Sequence, residues 1–550
     1  MNVEDLFEGR LSRQELLRRA GIGGLIASVP AIASITGDSA LAAVTRPGAA
    51  PLDTLEWGLG GVAASLDTMK PVDIFTFNCL ALGYESLLGF TPQGGVRPLL
   101  ASSYRRVNPT TYVFKLRDGV RFWDGSPMTV DDVVYSLARH IKKGSGSSSL
   151  YLVDSVKSVK ATGEREVTVT LKAPSATFIY GAALSSWWVV KREYVERAGS
   201  KIGSPDAMGM GTGPYEFVKF VPNSHLSVAR FDGYWGPRPA AAKVNVRFIA
   251  QNETRLLATR SGDLDGSFTV PLKDAKRWDS VKGYGVQTAS DLSITFITMD
   301  VTAKPWSDLY VRRAVAHSVD AAGLIKAAVG GNAEVATAIP PPRQWGGLRA
   351  ASAARRVYRT FPRYRFDMAR AKAELAKSAY KDGFSAKFSV DAAGGYITDI
   401  ALNLSQNMKR IGVEIEVEAL PQAAWFDRLF SKKTSSGLSA ITYTPSFPDP
   451  SDYLKLMLAS SSAVPNGYNI ANFRNAQVDR LLAQQSRAGS NAIRASLITR
   501  IARIAQTQLP YVPIWWGETG MSINDDLKYA GFSWQYTVEP WAARISRRAA

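Results

Sequence analysis

The stretch Thr110 to Arg139, TTYVFKLRDGVRFWDGSPMTVDDVVYSLAR, narrows what this chain can fold into more than any other. Tyr112, Phe114 and Leu116 alternate with Val113, Lys115 and Arg117, the two-residue period of a half-buried strand. Asp118-Gly119 supplies a pair that tolerates left-handed backbone in a tight hairpin. Val120 to Trp123 is expected to return as a second strand, and Asp124-Gly125 to turn the chain again. Thr129 is placed to cap a helix, and Asp132, three residues on, approximates a capping box. Val133, Val134 and Leu137 share one face of that helix. Periodicity reads here as a strand-turn-strand-helix scaffold and goes no further.

The same run, FKLRDGVRFWDGSPMTVDDVVYSL, resembles the signature block of the family 5 extracellular solute-binding proteins, the peptide, dipeptide and nickel-complex receptors of ABC importers. Further blocks resemble the family's in its own order. Ser65-Leu66-Asp67 is similar to "LDP", Tyr84 to Leu88 to "YEGL", and Pro98 to Tyr104 to "PALAESW". Gly211 to Phe217, GTGPYEF, is similar to "GTGPYKF", and Arg230 to Pro239 to "NPDYWGGKP". Pro305 to Gly330 resembles the family helix "PFSDVRVRQALAYAIDREAIVKAVLGG". Tyr443 to Leu454 resembles "DPDNFL", and Leu509 to Trp516 resembles "APYIPLYY". The resemblance spans roughly residues 52 to 535. It implies an α/β, two-lobe periplasmic-binding-protein (Venus-flytrap) fold of the peptide-receptor type, with an extra subdomain in the first lobe. The expected division is 44–300 plus 512–550 for lobe I, 79–212 for the extra subdomain, and 301–511 for lobe II.

Local patterns fill in that outline. Glu166 to Lys172 alternates as a strand. Ser185 to Lys191 reads as another, with Trp187 and Trp188 on opposite faces, one in the core and one free to line a cleft. Thr295 to Met299 and Leu509 to Trp516 are expected to be the two strands crossing between lobes. Asp367 to Leu375, Leu402 to Ile411 and Asn491 to Leu509 read as helices, the last amphipathic through Ile498, Ile501, Ile504 and Ala505. Arg343 to Arg363 is basic and irregular, a departure from the shorter family segment.

At the N-terminus, Arg18-Arg19, the apolar Ala20 to Ile35 and Ala40-Leu41-Ala42 read as an export signal over residues 1–43. Ser12 to Arg18 resembles a twin-arginine box with Gln14 in place of the second arginine, so the Sec and Tat routes both stay open. With no cysteine near the cleavage point, no lipid anchor is expected, and the mature protein is expected in the periplasm or outside the cell.

Composition excludes several classes. The chain has 550 residues, a net charge of +18 and one cysteine, Cys79, so no internal disulfide or multi-cysteine zinc site is available. Its basic residues are dispersed and carry no nucleic-acid motif, and a solvated basic surface is the reading taken. His140, His225 and His317 stand apart in sequence, with no H-E-x-x-H, and no G-x-S-x-G appears. No enzyme, cofactor or metal is expected.

The resemblance places Asp449 where dipeptide and oligopeptide receptors carry their amine-binding aspartate. Tyr443 and Phe447 stand beside it, where the family usually has Trp and a small polar residue; Trp187, Trp516 (or its neighbour Trp515) and Asp67 complete the candidate site. No arginine matches a family carboxylate-binding position. The expectation is a monomeric receptor for a peptide or small polar ligand, working with an ABC permease and its ATPase subunits. A metal–chelator complex, an opine, a sugar oligomer, or an exported hydrolase are the alternatives.

Overall fold

The computed structural model describes residues 52–548 apart from 72, 143 and 393. The export signal expected over 1–43 lies outside the described residues. Ten strands form one continuous mixed sheet. Its spatial order is Val413–Leu420, Phe384–Asp391, Leu438–Tyr443, Tyr284–Met299, Tyr511–Asn524, Gly266–Phe268, Leu52–Leu59, Ala241–Phe248, His225–Arg230 and Tyr215–Val221, with Glu334–Val335 adding a short pair to Tyr511–Asn524. The two long strands at the centre run antiparallel and belong to both halves of the sheet. Gly266–Phe268 pairs with Met521 to Ile523 at one end, while Leu438–Tyr443 pairs with Ile294 to Met299 at the other.

Each half buries its own apolar faces. Leu55, Trp57, Val244, Phe268 and Trp541 pack in the first, and Val311, Phe388, Leu404 and Ile514 in the second, beside a further cluster around Trp345, Tyr358 and Ile498. Such clusters supply most of the folding drive, at roughly 25 cal/mol per Å² of apolar surface buried. Helix Asn491–Gln508, capped by Ser490, turns Ile498, Ile501 and Ala505 inward as its spacing predicts.

The extra subdomain is a four-stranded antiparallel sheet in the order Ala101–Asn108, Thr111–Leu116, Glu166–Leu171, Val156–Gly163. Helix Val130–Ile141 covers it, and Thr129 caps that helix reciprocally: Thr129 Oγ1 accepts from Asp132 N–H at 3.2 Å while Asp132 Oδ2 accepts from Thr129 N–H at 2.9 Å. The second strand expected at Val120 to Trp123 does not form. Both edges of Thr111–Leu116 are already occupied by Ala101–Asn108 and Glu166–Leu171, so Val120 and Phe122 bury into the core from a loop instead.

The strand expected at Ser185 to Lys191 is a 3-10 turn, Ser185–Trp187, followed by extended chain. It runs between two cores: Trp187 packs against Phe114 and Phe178 in the subdomain, and Trp188 joins the first lobe's cluster. Neither ring faces a cleft, which corrects the placement of Trp187 as a ligand contact.

Candidate ligand-binding site

Both central strands are interrupted at the same level. Between Ser290, opposite Glu518, and Ile294, opposite Trp516, the first strand carries Asp291, Leu292 and Ser293 against Gly517 of the second. This bulge bends the strand and re-aims its side chains. Leu292 adopts φ +64° within it, a left-handed backbone that costs a leucine about 1–2 kcal/mol. Gly517 leaves the room required: a Cβ there would lie 2.1 Å from Ser293 Oγ and 2.9 Å from Asp291 Oδ1. The Tyr453 hydroxyl, on helix Ser451–Leu458, lies 2.9 Å from the Leu292 carbonyl and 2.7 Å from that of Tyr443, and so pins the bulge to the second lobe.

The bulge turns Asp291 away from the ladder. Its carboxylate accepts from Ser293 N–H at 2.8 Å, and no ion pair to it occurs among the described residues. Glu518, on the facing strand, is likewise part-exposed and has no ion pair among the described residues. Burial pushes the Asp291 carboxyl above the usual carboxylate range, and the Glu518 charge pushes it the same way.

Hydroxyls of both lobes lie near Asp291. The Asp291 charge acts on the hydroxyls of Tyr396 and Tyr453 from the second lobe and of Tyr536 from the first. Tyr396 is bonded to Thr442 Oγ1 at 3.0 Å and sets its ring edge-on to Trp515 at 5.7 Å. Tyr536 meets Thr519 Oγ1 at 3.3 Å. A cation reaching this level would meet two uncompensated carboxylates and the exposed Tyr396 ring, both of which favour positive charge.

The lobes also touch at a rim on the subdomain side. Tyr180 stacks on Phe447, with centroids 5.6 Å apart and planes within 3°. Ala176 N–H donates to the Ser486 carbonyl at 2.8 Å, and Gly94 packs close against Pro448. Phe447 is therefore an interlobe contact.

The remaining sequence candidates lie apart from the carboxylate pair. Asp449 is fully buried, with Arg494 Nη1 3.0 Å from Oδ2 and Nη2 3.0 Å from Oδ1, and Ser451 N–H donating at 2.9 Å. Its charge is cancelled inside the protein, so it offers no free carboxylate to an amine; it ties the 446–452 turn to helix Asn491–Gln508. Asp67 is buried and paired with Arg139 at 3.1 Å in the first lobe. Trp516 is covered by the 338–358 segment, its Nε1 donating to the Ala338 carbonyl at 3.0 Å and its ring 6.0 Å from Tyr358. Tyr443 is buried, its hydroxyl donating to the Tyr468 carbonyl at 3.0 Å.

Asp291 and Glu518 escaped the sequence reading. The available signal was a polar break, Ser290-Asp291-Leu292-Ser293, just before the apolar Ile294 to Met299, matched by Gly517-Glu518-Thr519 after Trp515-Trp516. Such breaks inside two strands that cross between lobes mark where the ladder opens.

Two lobes sharing a pair of long strands, with two carboxylates left without a cation among the described residues where both are interrupted, have the geometry of a clamp that can close on a solute. The profile of the bacterial extracellular solute-binding proteins, family 5, matches residues 95–464. The chain belongs to that family, and it is a binding protein of the ABC-importer type, not an enzyme. It is 25% identical over 461 residues to the glutathione-binding protein GsiB of Escherichia coli K12, covering 82% of this chain and 87% of that one. Among solved structures it is similar to DppA from Helicobacter pylori in complex with the peptide STSA, at 19% identity and a TM-score of 0.73 over 90% of this chain and 98% of that one. It is similar also to AppA from Bacillus subtilis in complex with a nonapeptide, at 20% identity and a TM-score of 0.71 over 91% and 100%. No described helix is long and apolar enough to cross a membrane.

Proposed function

We propose that this chain captures a peptide or peptide-like polar solute carrying a positive group and presents it, chemically unchanged, to an ABC permease in the periplasm or at the outer cell surface. The observation that carries this reading is Asp291: a carboxylate at the interlobe bulge, part-exposed, facing Glu518, with no cation paired to it among the described residues. A protein does not leave two neighbouring carboxylates uncompensated without a cost in stability, and a bound ammonium or guanidinium removes that cost. The names of the relatives, which bind glutathione or peptides, support the peptide class.

In this reading lobe I comprises 44–300 plus 512–550 and lobe II comprises 301–511, and the protein works as a monomer. Solute bound to both lobes favours their closure, because its contacts exist in full only when the lobes meet. Asp291 and Glu518 hold the positive group, the exposed Tyr396 ring lies beside it, and the Tyr180–Phe447 stack closes the rim.

The test is calorimetric titration with a peptide library and with its N-acetylated counterpart. Binding of the free-amine peptides, weakened by acetylation or by Asp291→Asn, is expected. Equal binding of acetylated peptides by wild-type protein would sink the assignment. Recovery of cleaved peptide would favour the hydrolase alternative.

A further inference from the structure

The segment 343–366, RQWGGLRAASAARRVYRTFPRYRF, holds seven arginines, no lysine and no acidic residue. It packs over the second lobe through Trp345, Tyr358 and Phe361, which are buried. That leaves its cations outside. Arg343, Arg356, Arg359, Arg363 and Arg365 are exposed, and none of their guanidinium groups has a hydrogen-bond or ion-pair partner among the described residues. The other two are engaged: Arg355 is forked onto Glu334, and half-buried Arg349 lies 4.8 Å over the Trp345 ring. Arg356 lies in the last turn of helix Ala351–Tyr358 and Arg359 caps its end, where cations also complement the helix dipole. Helix Asn491–Gln508 adds to the field: Arg503 lies 4.7 Å over the Phe361 ring and donates to the Thr360 carbonyl, with exposed Arg500 one turn before it. Phe366, at 42% exposure, stands at the end of the segment.

Self-repulsion among this many unpaired cations is unfavourable unless an anionic surface lies against them. Three features select its chemistry. The cations are all arginine, whose planar fork matches phosphate oxygens two at a time. They are spread from the 3-10 turn Pro342–Trp345 through a helix end to the irregular chain after it and are not gathered in a pocket, so the match is to an extended array of anions. An exposed phenylalanine beside them suits the apolar boundary beneath a headgroup layer.

We propose that residues 343–366, with Arg500 and Arg503, dock the second lobe on an anionic phospholipid surface through its phosphate headgroups. The segment's start meets the interlobe rim, Gln344 Nε2 donating to the Phe447 carbonyl at 3.4 Å, so the arginines from Arg356 on carry the surface; docking there would keep the receptor in the plane where a permease lies.

The test is partition of the full chain onto vesicles of phosphatidylglycerol mixed with phosphatidylcholine, against pure phosphatidylcholine, which measures any charge-independent part. Arg356→Ser, Arg359→Ser and Arg363→Ser together are expected to lower partition onto the anionic vesicles on the order of 100-fold, and added salt to abolish it in the wild type. A control removes three exposed lysines of the first lobe, Lys157→Ser, Lys160→Ser and Lys219→Ser, and so changes the net charge equally. It should lose little. The thermal midpoint of the arginine variant should equal or exceed that of wild type and its calorimetric solute affinity should match, which separates this surface from the crevice. Equal losses in the two triple variants would reduce the effect to net charge and overturn the proposal. So would wild-type binding no stronger to anionic than to neutral vesicles, the result expected if the patch faces an acidic protein instead.

Discussion

Asp449 and Asp291 are both aspartates beside a crossing point of the two lobes, and they have opposite fates. Asp449 is sealed, with two guanidinium nitrogens of Arg494 at 3.0 Å and a backbone N–H at 2.9 Å. Asp291 is reached by solvent, accepts from Ser293 N–H at 2.8 Å but from no cation among the described residues, and faces another carboxylate. Burying a charge is tolerable only when a partner goes with it, so a paired carboxylate is spent on structure. An unpaired one keeps its attraction for something that arrives later. The comparison teaches that motif position alone does not locate a recognition residue; the charge balance around it does.

The largest break in this comparison should come from Arg494→Ala. It strands Asp449 inside the second lobe and should cost about 3–5 kcal/mol of folding stability in a urea titration. Asp449→Asn should also lower stability, yet leave the calorimetric solute affinity of the folded protein within a few-fold. If instead Asp449→Asn abolished binding in a stable protein, the roles assigned to the two aspartates would be reversed.

Next comes Asp291→Asn, which should weaken binding of a free-amine peptide by about 1.5–3 kcal/mol, roughly 10- to 150-fold. Its melting midpoint should stay equal or rise, because the variant removes a charge that is held against burial and against Glu518. A drop in the midpoint would place Asp291 in the structural class.

A smaller coupling is expected across the rim. Tyr180→Ala and Phe447→Ala, taken singly and together, should show an interaction of about 0.5–1.5 kcal/mol in solute affinity. The two rings meet only when the lobes do, so additive losses would deny the stack a part in closure.

The finest test uses pH. The Asp291 carboxyl is raised by burial and then by the Glu518 charge, and only its ionised form attracts a cation. Affinity for a solute whose positive charge is constant below neutrality should be flat at higher pH. It should fall as pH drops through the raised value, sooner than for an ordinary carboxylate. Glu518→Gln should move that fall to lower pH. An unchanged midpoint would show that the two carboxylates do not sense each other.

Local patterning carried much of the fold. Helix Asn491–Gln508, the strand Glu166–Leu171 and the cap at Thr129 all form where period and capping chemistry put them. Failures came where neighbours decide. Val120 to Trp123 had strand character but no free edge to pair with, and Trp187 had an outward face only until a second core closed over it. Trp516 is covered by the 338–358 segment, whose packing partner cannot be read from its own residues.

The order of family blocks along the chain, the helix and strand periods and the acid-free arginine run were all present in the amino-acid sequence, because each depends on residues close to one another along it. Which aspartate is neutralised depends on Arg494, 45 residues from Asp449 along the chain, and on a bulge that faces Gly517 across the sheet from Asp291. Charge compensation acts through space at a few ångströms, so only the folded arrangement of distant segments could decide which carboxylate was left for a solute.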